Sequence, residues 1–287
     1  VTTAAIDLRP ADADGDLILA KASRLRDRLS SLGSVVVAFS GGTDSAYLAY
    51  VAASVLGDRA LSVTADSASY PSRHRAIAVD LAARFHLQHE FIVTAEMDNP
   101  GYRANAPDRC FHCKHELFTR LTKVAGDRGF AAVLDGANAD DRGDYRPGRQ
   151  AARELGVLSP LDEADLAKDE IRELSRQAGL PTWDQPASAC LSSRIPYHSE
   201  VTPEKLHQIE RAEEAVRALG FRICRVRHHD RLARVEVAPD EMQRAFEPEM
   251  REALVRELKA VGYQYVTLDL QGYRLGSLNE GVVLTAV

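Results

Sequence analysis

One short stretch limits what this chain can become more than any other. Val35-Val-Val-Ala-Phe39 is an apolar, β-branched run of the kind a parallel sheet buries on both faces, and it leads straight into Ser40-Gly-Gly-Thr-Asp-Ser45 and the helical stretch Ala46 to Leu56. Strand, polar glycine loop and helix in direct succession open a strand–helix–strand crossover. Two glycines let the main chain approach a ligand closely, and the backbone N–H groups converge with the positive end of the following helix where an anion can rest. A tight connection with no ligand would also use Gly-Gly, but Ser40, Asp44 and Ser45 supply more polar groups than a mere turn needs. The Walker pattern Gly-x-x-x-x-Gly-Lys is absent. Asp44 stands where that motif has its lysine, which suggests Mg²⁺ at a pyrophosphate leaving group.

The alternation continues. After a helical pattern over Ala20 to Leu32, the runs Ala60 to Ala65, His89 to Thr94 and Ala131 to Leu134 read as strands, and Pro71 to Phe85, Cys113 to Arg128 and Lys168 to Ala178 as helices. This predicts an α/β fold, a doubly wound parallel sheet whose ligands gather outside the carboxyl ends of its strands. From Ile195 the texture changes to helices over Pro203 to Leu219 and Pro248 to Val261, with strands over Arg222 to His228, Leu232 to Val237 and Tyr263 to Leu268. The expected domains are therefore residues 1–194 and a smaller α+β unit at 195–287, for which substrate binding and oligomerisation are the expected duties.

Charge and cysteine usage narrow the function classes. With 36 basic against 42 acidic side chains the formal net charge is −6, which argues against a protein that wraps nucleic acid. The longest apolar stretch, Ala46 to Ala53, is far short of a membrane span, and the first residues lack the pattern of a secretory signal, so a cytoplasmic location is expected. Four cysteines in 287 residues do not make a disulfide scaffold; they read as thiols or ligands.

Ser-Gly-Gly-x-Asp-Ser after the first strand resembles the signature of the PP-loop ATP pyrophosphatases, which split ATP into AMP and pyrophosphate to activate a carbonyl or carboxylate as its adenylate. Further blocks are similar to one branch of that superfamily, the LarE sulfur transferases, across nearly the whole chain. They are Ala65-Asp-Ser67 with Tyr70-Pro71, the run from Asn105 to Phe118, Asp135-Gly-Ala-Asn-Ala-Asp-Asp141, and Asp144-Tyr-Arg-Pro-Gly148. Ser159 to Glu163, Lys168 to Arg172 and Leu180 to Arg194 complete the series. The resemblance implies ATP-dependent sulfur insertion into pyridinium-3,5-biscarboxylic acid mononucleotide, a precursor of the nickel-pincer nucleotide cofactor. It also implies a homo-oligomer such as a hexamer.

On that reading Ser40, Gly41, Gly42, Asp44 and Ser45 hold the ATP phosphates, with Asp44 on Mg²⁺, and Asp66 and Ser67 form a nucleotide-contacting turn. Gly136 would lie bare against ribose or adenine, while Asn138, Asp140 and Asp141 orient hydroxyls or Mg²⁺. A polar loop that caps a helix is the alternative. Lys168 either neutralises developing phosphate charge or is a solvated first-turn residue. Cys190, in a small-residue loop near Arg194, is a buried structural cysteine or, as the resemblance implies, the position that bears sulfur. In the sacrificial route of single-cysteine members its thiolate attacks the adenylate and its own Cβ–S bond then breaks. Cys110 and Cys113, spaced Cys-x-x-Cys before the predicted helix, complete three soft ligands with Cys190. Three thiolates suit a [4Fe-4S] cluster with one open iron, as in some family members; a redox disulfide or a zinc site with His112 or His115 is also open. Cys224 reads as core.

The second unit carries Arg222, Arg225, Arg227, Arg231 and Arg234 on its hairpin. Arg225 and Arg227 share a face: either solvated, or, with Arg194, set to bind the phosphate of a mononucleotide. Glu236 pairs with them or holds a metal. His86, His89, His228 and His229 read as surface or packing residues. Rival readings are a tRNA thiolase, which predicts a basic RNA surface, an ammonia-dependent amide ligase, and a non-catalytic iron–sulfur or zinc module.

Overall fold

The computed structural model describes residues 13–143, 147–186 and 189–274. Asp144 to Arg146 of the Asp144–Gly148 block, and Ala187 and Ser188 of the Cys190 loop, lie outside them. The first unit runs α1 (Ala13–Leu32), β1 (Val35–Ala38), α2 (Thr43–Leu56), β2 (Ala60–Asp66), α3 (Ser72–Arg84), β3 (Gln88–Val93), α4 (Pro100–Arg103), α5 (Arg109–Arg128), β4 (Ala132–Leu134), α6 (Pro147–Glu154), α7 (Pro160–Glu163) and α8 (Lys168–Gln177). Its four strands are parallel in the order β3-β2-β1-β4. The strand alternation sends Val35 and Val37 into the core beneath α1, α2 and α8, and Val36 into the core beneath α5 and α6. Helices therefore cover both faces, and the sheet is doubly wound as its continuous apolar strands predict.

The order of strands locates the site. The chain steps outward from β1 to β2 and β3, then returns to place β4 on the other side of β1. The loops after β1 and β4 thus leave the sheet side by side and open the crevice where such folds bind ligands.

The remaining chain forms α9 (Pro203–Ala218), β5 (Cys224–His229), β6 (Leu232–Val237), α10 (Met242–Ala245), α11 (Pro248–Ala260) and β7 (Tyr265–Leu268). β5 and β6 are an antiparallel hairpin, and β7 joins β6 in parallel. The helix α9 starts cleanly because Thr202 accepts from Lys205 N at 3.3 Å and Pro203 occupies the first turn. Tyr102, Leu191, Ile195, Val201, Leu206 and Ile209 form a small core of their own where the two units meet. Among the described residues no helix is long and apolar enough to cross a membrane.

Candidate active site

The phosphate loop closes on itself through hydroxyls. Ser40 N donates to Ser45 Oγ at 3.2 Å, the Ser40 and Ser45 hydroxyls lie 3.0 Å apart, and Ser45 Oγ donates to the Gly42 carbonyl at 3.1 Å. Gly41 sits at φ +71°, where a side chain would be strained. Gly42 caps α2 without a side-chain acceptor, so the first-turn N–H groups of Thr43, Asp44 and Ser45 have no intrahelical partner and point toward the crevice opening. The sequence predicts this helix from Ala46; it starts at Thr43, which puts Asp44 and Ser45 on its first turn instead of in the loop.

The loop after β4 presses against this turn. A Cβ on Gly136 would lie 3.1 Å from Ser45 N and 3.4 Å from the carbonyl carbon of Asp44, so the glycine is needed first for packing against the phosphate loop. Asn138 is fully buried; its Oδ1 accepts from Asp140 N at 3.1 Å, while its Nδ2 has no hydrogen-bond partner among the described residues. Lys168, on the first turn of α8, donates its N–H to Asp140 at 2.7 Å and brings its ammonium to 3.3 Å from Asp141. The three expected members of this loop and Lys168 are thus one constellation.

The turn after β2 ties the phosphate loop to the Cys190 segment. The Tyr70 hydroxyl donates to the Ser40 carbonyl at 2.9 Å, and the neighbouring Ser69 carbonyl accepts from Leu191 N at 2.9 Å. A second tie runs from the Thr43 hydroxyl to the Thr182 carbonyl at 2.6 Å. Asp66 is engaged by Arg75, whose guanidinium stacks 4.1 Å from the Phe91 ring centroid. Ser67 lies 3.1 Å from Ser69 through their hydroxyls, and Ser69 donates to buried Glu96 at 3.2 Å. Asp66, Ser67 and Tyr70 line one side of a cavity of about 250 Å³, and His207 and Glu210 of α9 line the other.

Cys110 and Cys113 do not precede a helix; they occupy the first turn of α5, which begins at Arg109, and their spacing puts both on one face. Cys113 packs against the Tyr102–Leu191–Ile195 core, and both thiols stand within the electrostatic reach of Cys190. Burial pushes the Cys113 thiol well up. Cys110 is exposed by surface area although protein atoms crowd its sulfur, and its thiol is pushed up by burial against the pull of Arg109. Cys190 caps the single turn Leu191–Arg194, and its carbonyl accepts from the Ser193 hydroxyl at 2.8 Å. Among the described residues no three His, Cys, Asp or Glu side chains converge on one ion. His112 lies over Gly101 and 3.6 Å from Asp108, while His115 packs on Phe111, so neither histidine completes a compact zinc set. Cys224 is wholly buried in the second core, its thiol pushed up to about 11 by burial.

Arg225 and Arg227 are buried, whereas Arg222 and Arg231 of the same hairpin are exposed. Arg227 forms a two-pronged pair with fully buried Glu236 at 2.9 and 2.8 Å and donates to the Ser193 carbonyl at 2.8 Å. Arg194 is equally buried: it pairs with Glu213 at 2.8 Å and donates to the carbonyls of Ala189 and Cys190 at 2.8 and 2.9 Å. These bonds make it a brace for the cysteine turn. Arg225 stands over the Tyr273 ring within the field of Arg194 and Glu213. His74 looks into the same cationic cluster; burial, then Arg194, Arg73, Arg217 and Arg225, hold its pKa down at about 4. Sequence reasoning missed Glu213, His74, Arg109 and the Tyr102–Ser192 hydroxyl pair at 2.6 Å. Only Arg109 had a local signal, its place beside Cys110. His89 bonds Thr64 at 2.8 Å and His228 bonds Tyr263 at 3.0 Å, both as packing residues.

No protein-family model matches the chain. It is 43% identical over 264 residues to an uncharacterized protein of Synechocystis sp., covering 92% of this chain and 98% of that protein. It is 36% identical over 269 residues to pyridinium-3,5-bisthiocarboxylic acid mononucleotide synthase of Lactiplantibacillus plantarum, covering 91% and 94%. The chain belongs to the LarE family. A more distant likeness, 26% over 217 residues, is to part of the glutamine-hydrolyzing GMP synthase of Archaeoglobus fulgidus, over 67% of this chain and 66% of that protein. This LarE family chain therefore carries its glycine loop at the sheet's switch point and a cysteine turn bonded to the loop beside it.

Proposed function

We propose that this chain is a sulfur transferase that uses ATP to activate a carboxylate of pyridinium-3,5-biscarboxylic acid mononucleotide and replaces an oxygen there by sulfur. The carrying observation is the pair of consecutive residues Ser69 and Tyr70, one bonded to the Cys190 turn and the other to the phosphate loop. That tie between the Cys190 turn and the phosphate loop supports a thiol acting close to where an anhydride would form. Kinship with the synthase of Lactiplantibacillus plantarum supports the substrate class, and the more distant likeness to a GMP synthase supports ATP as the activating nucleotide.

In the first step a substrate carboxylate oxygen attacks the α-phosphorus of ATP, the bond to the β-phosphate breaks, and pyrophosphate leaves. The first-turn N–H groups of α2 and the hydroxyls of Ser40 and Ser45 hold the leaving phosphates, and Lys168 offsets their charge. Asp44 would hold Mg²⁺, which supplies further charge neutralisation. The Asn138 amide nitrogen, without a hydrogen-bond partner among the described residues, would suit a nucleotide acceptor. In the second step hydrosulfide adds to the acyl carbon, AMP departs with the C–O electron pair, and a thiocarboxylate remains. Cys110, Cys113 and Cys190, whose thiols interact electrostatically, would hold a [4Fe-4S] cluster as three thiolates, and the cluster would supply an iron able to carry sulfide. Arg225, beside the Arg194–Glu213 pair, is the hairpin arginine for the substrate phosphate, with Arg227 held by Glu236 and the Ser193 carbonyl as its support, and a symmetric assembly of copies completes the protein.

The test is anaerobic turnover with the biscarboxylate mononucleotide, ATP, Mg²⁺ and sulfide, following pyrophosphate and thiocarboxylate together. Wild type makes both and keeps its intact mass. Cys190→Ser releases pyrophosphate but makes no thiocarboxylate. Pyrophosphate release with ammonia incorporation instead of sulfur would overturn the reading, and loss of H₂S from the wild-type polypeptide would replace the cluster route by self-consumption.

A further inference from the structure

Arg109 opens helix α5 beside Cys110 and is only 4% exposed. A guanidinium this far from water is costly unless a negative group faces it. Two of the other three buried arginines are directly paired, Arg194 with Glu213 and Arg227 with Glu236, and Arg225 lies in the field of Glu213. Arg109 is placed differently. Its hydrogen-bond partners among the described residues are the Asn105 side-chain oxygen, the Ser192 carbonyl at 2.9 Å and the Cys110 sulfur, none of them a carboxylate. Burial works against its charge, and a thiolate at Cys190 or Cys110 would favour it, ahead of the hydroxyls of Tyr102 and Tyr197.

The Ser192 carbonyl belongs to the turn that Cys190 caps. The same turn is held from the other side by Tyr102, whose hydroxyl lies 2.6 Å from that of Ser192. Arg109 therefore touches the helix that bears two of the cysteines and the turn that bears the third.

We propose that Arg109 is a positioning residue of the sulfur site, its guanidinium supplying the counter-charge to thiolate sulfur at Cys110 and Cys190 while its grip on the Ser192 carbonyl fixes the Cys190 turn against α5. The inference rests on the reading of Cys110, Cys113 and Cys190 as one sulfur site, but it requires no ATP and no carboxylate substrate, so it fails or stands separately from the reaction.

The test alkylates the reduced, metal-free full chain at low ionic strength with iodoacetate and iodoacetamide in parallel, with rates at each cysteine read by peptide mass spectrometry. Both reagents attack the same thiolate, so the ratio of their rates cancels the thiolate fraction and reports the local charge. In wild type the iodoacetate-to-iodoacetamide ratio at Cys110 and Cys190 should exceed that of N-acetylcysteine amide by about tenfold, as one nearby positive charge in a partly shielded site gives. Arg109→Met should bring it close to the free-thiol value at Cys110 and lower it at Cys190, where Arg194 remains. Arg109→Lys should keep most of the elevated ratio while raising both rates at Cys190, because an ammonium holds the charge but not the fork. A wild-type ratio equal to the free thiol overturns the proposal without any variant having to fold. An unchanged ratio in Arg109→Met with a native circular dichroism spectrum overturns it equally.

Discussion

Replacing Glu213 by glutamine removes a carboxylate around which Arg194, Arg225 and Arg217 are gathered. Glu213 is 2% exposed, accepts from Arg194 at 2.8 Å and from Arg217 at 2.7 Å, and also takes the Val226 N–H at 3.2 Å. Breaking one side of a buried pair costs about 3–5 kcal/mol, because the surviving charge stays out of water. At roughly 2–4 °C per kcal/mol for chains near this size, thermal unfolding followed by circular dichroism should show a drop on the order of 10 °C. Acid provides an independent check. Burial alone would raise the Glu213 carboxyl, but Arg194 and then Arg225 and Arg217 override it and hold it at about 2 against an ordinary 4.5. The folded state thus binds this proton less readily than the unfolded chain, so the stabilisation is complete above pH 4.5 and is lost as pH falls toward 2, amounting to about 3 kcal/mol. Glu213→Gln should lack that segment of the stability curve. Joint replacement by Arg194→Met and Glu213→Leu should recover only part of the loss, since Arg217 and Arg225 still face the gap. A Glu213→Gln protein within about 1 kcal/mol of wild type in urea unfolding would refute the reasoning.

Gly136→Ala puts a methyl 3.1 Å from Ser45 N, so the start of α2 must shift; pyrophosphate release should fall about tenfold with thermal stability nearly unchanged, and equal turnover would show that the contact does not matter. His74→Gln should flatten the stability profile between pH 6.5 and 4, because the buried imidazole is neutral when folded and its contribution, full above pH 6.5, fades as pH drops toward 4. Cys224→Ala, in contrast, should lower stability by about 1 kcal/mol through lost packing and leave thiocarboxylate yield unaltered; a fall in yield at equal stability would place this thiol in the chemistry.

The parts of the fold that could be read in the residues are those where local chemistry and tertiary demand agree. Val35 to Ala38 is apolar throughout because both of its faces are covered, and its glycine loop is set by a backbone need that only a few residues meet. Helix α8 begins at Lys168 as read, since Glu170 reaches back to Ala167 N at 2.8 Å. Helix α1 extends back to Ala13, beyond the predicted Ala20, although residues 15–20 are exposed apart from half-buried Ile18. Buried arginines escape such reading in part. The pairing of Glu236 with Arg225 or Arg227 is one of the two readings the hairpin offers, whereas nothing near Arg194 announces Glu213, a helix away; burial follows from the partner instead of from the residue. The cysteines were visible, whereas the cation among them was not, because Arg109 resembles any charged first-turn residue until the turn at Ser192 folds over it.

Ser69 and Tyr70 act as a ruler of one residue. Their Cα atoms are about 3.8 Å apart across a trans peptide, and neither end can slide without letting go of Leu191 or Ser40. An insertion between them would displace one anchor by more than a hydrogen bond can stretch. The spacing between the phosphate loop and the Cys190 turn is therefore written into covalent geometry, the least adjustable dimension a polypeptide possesses.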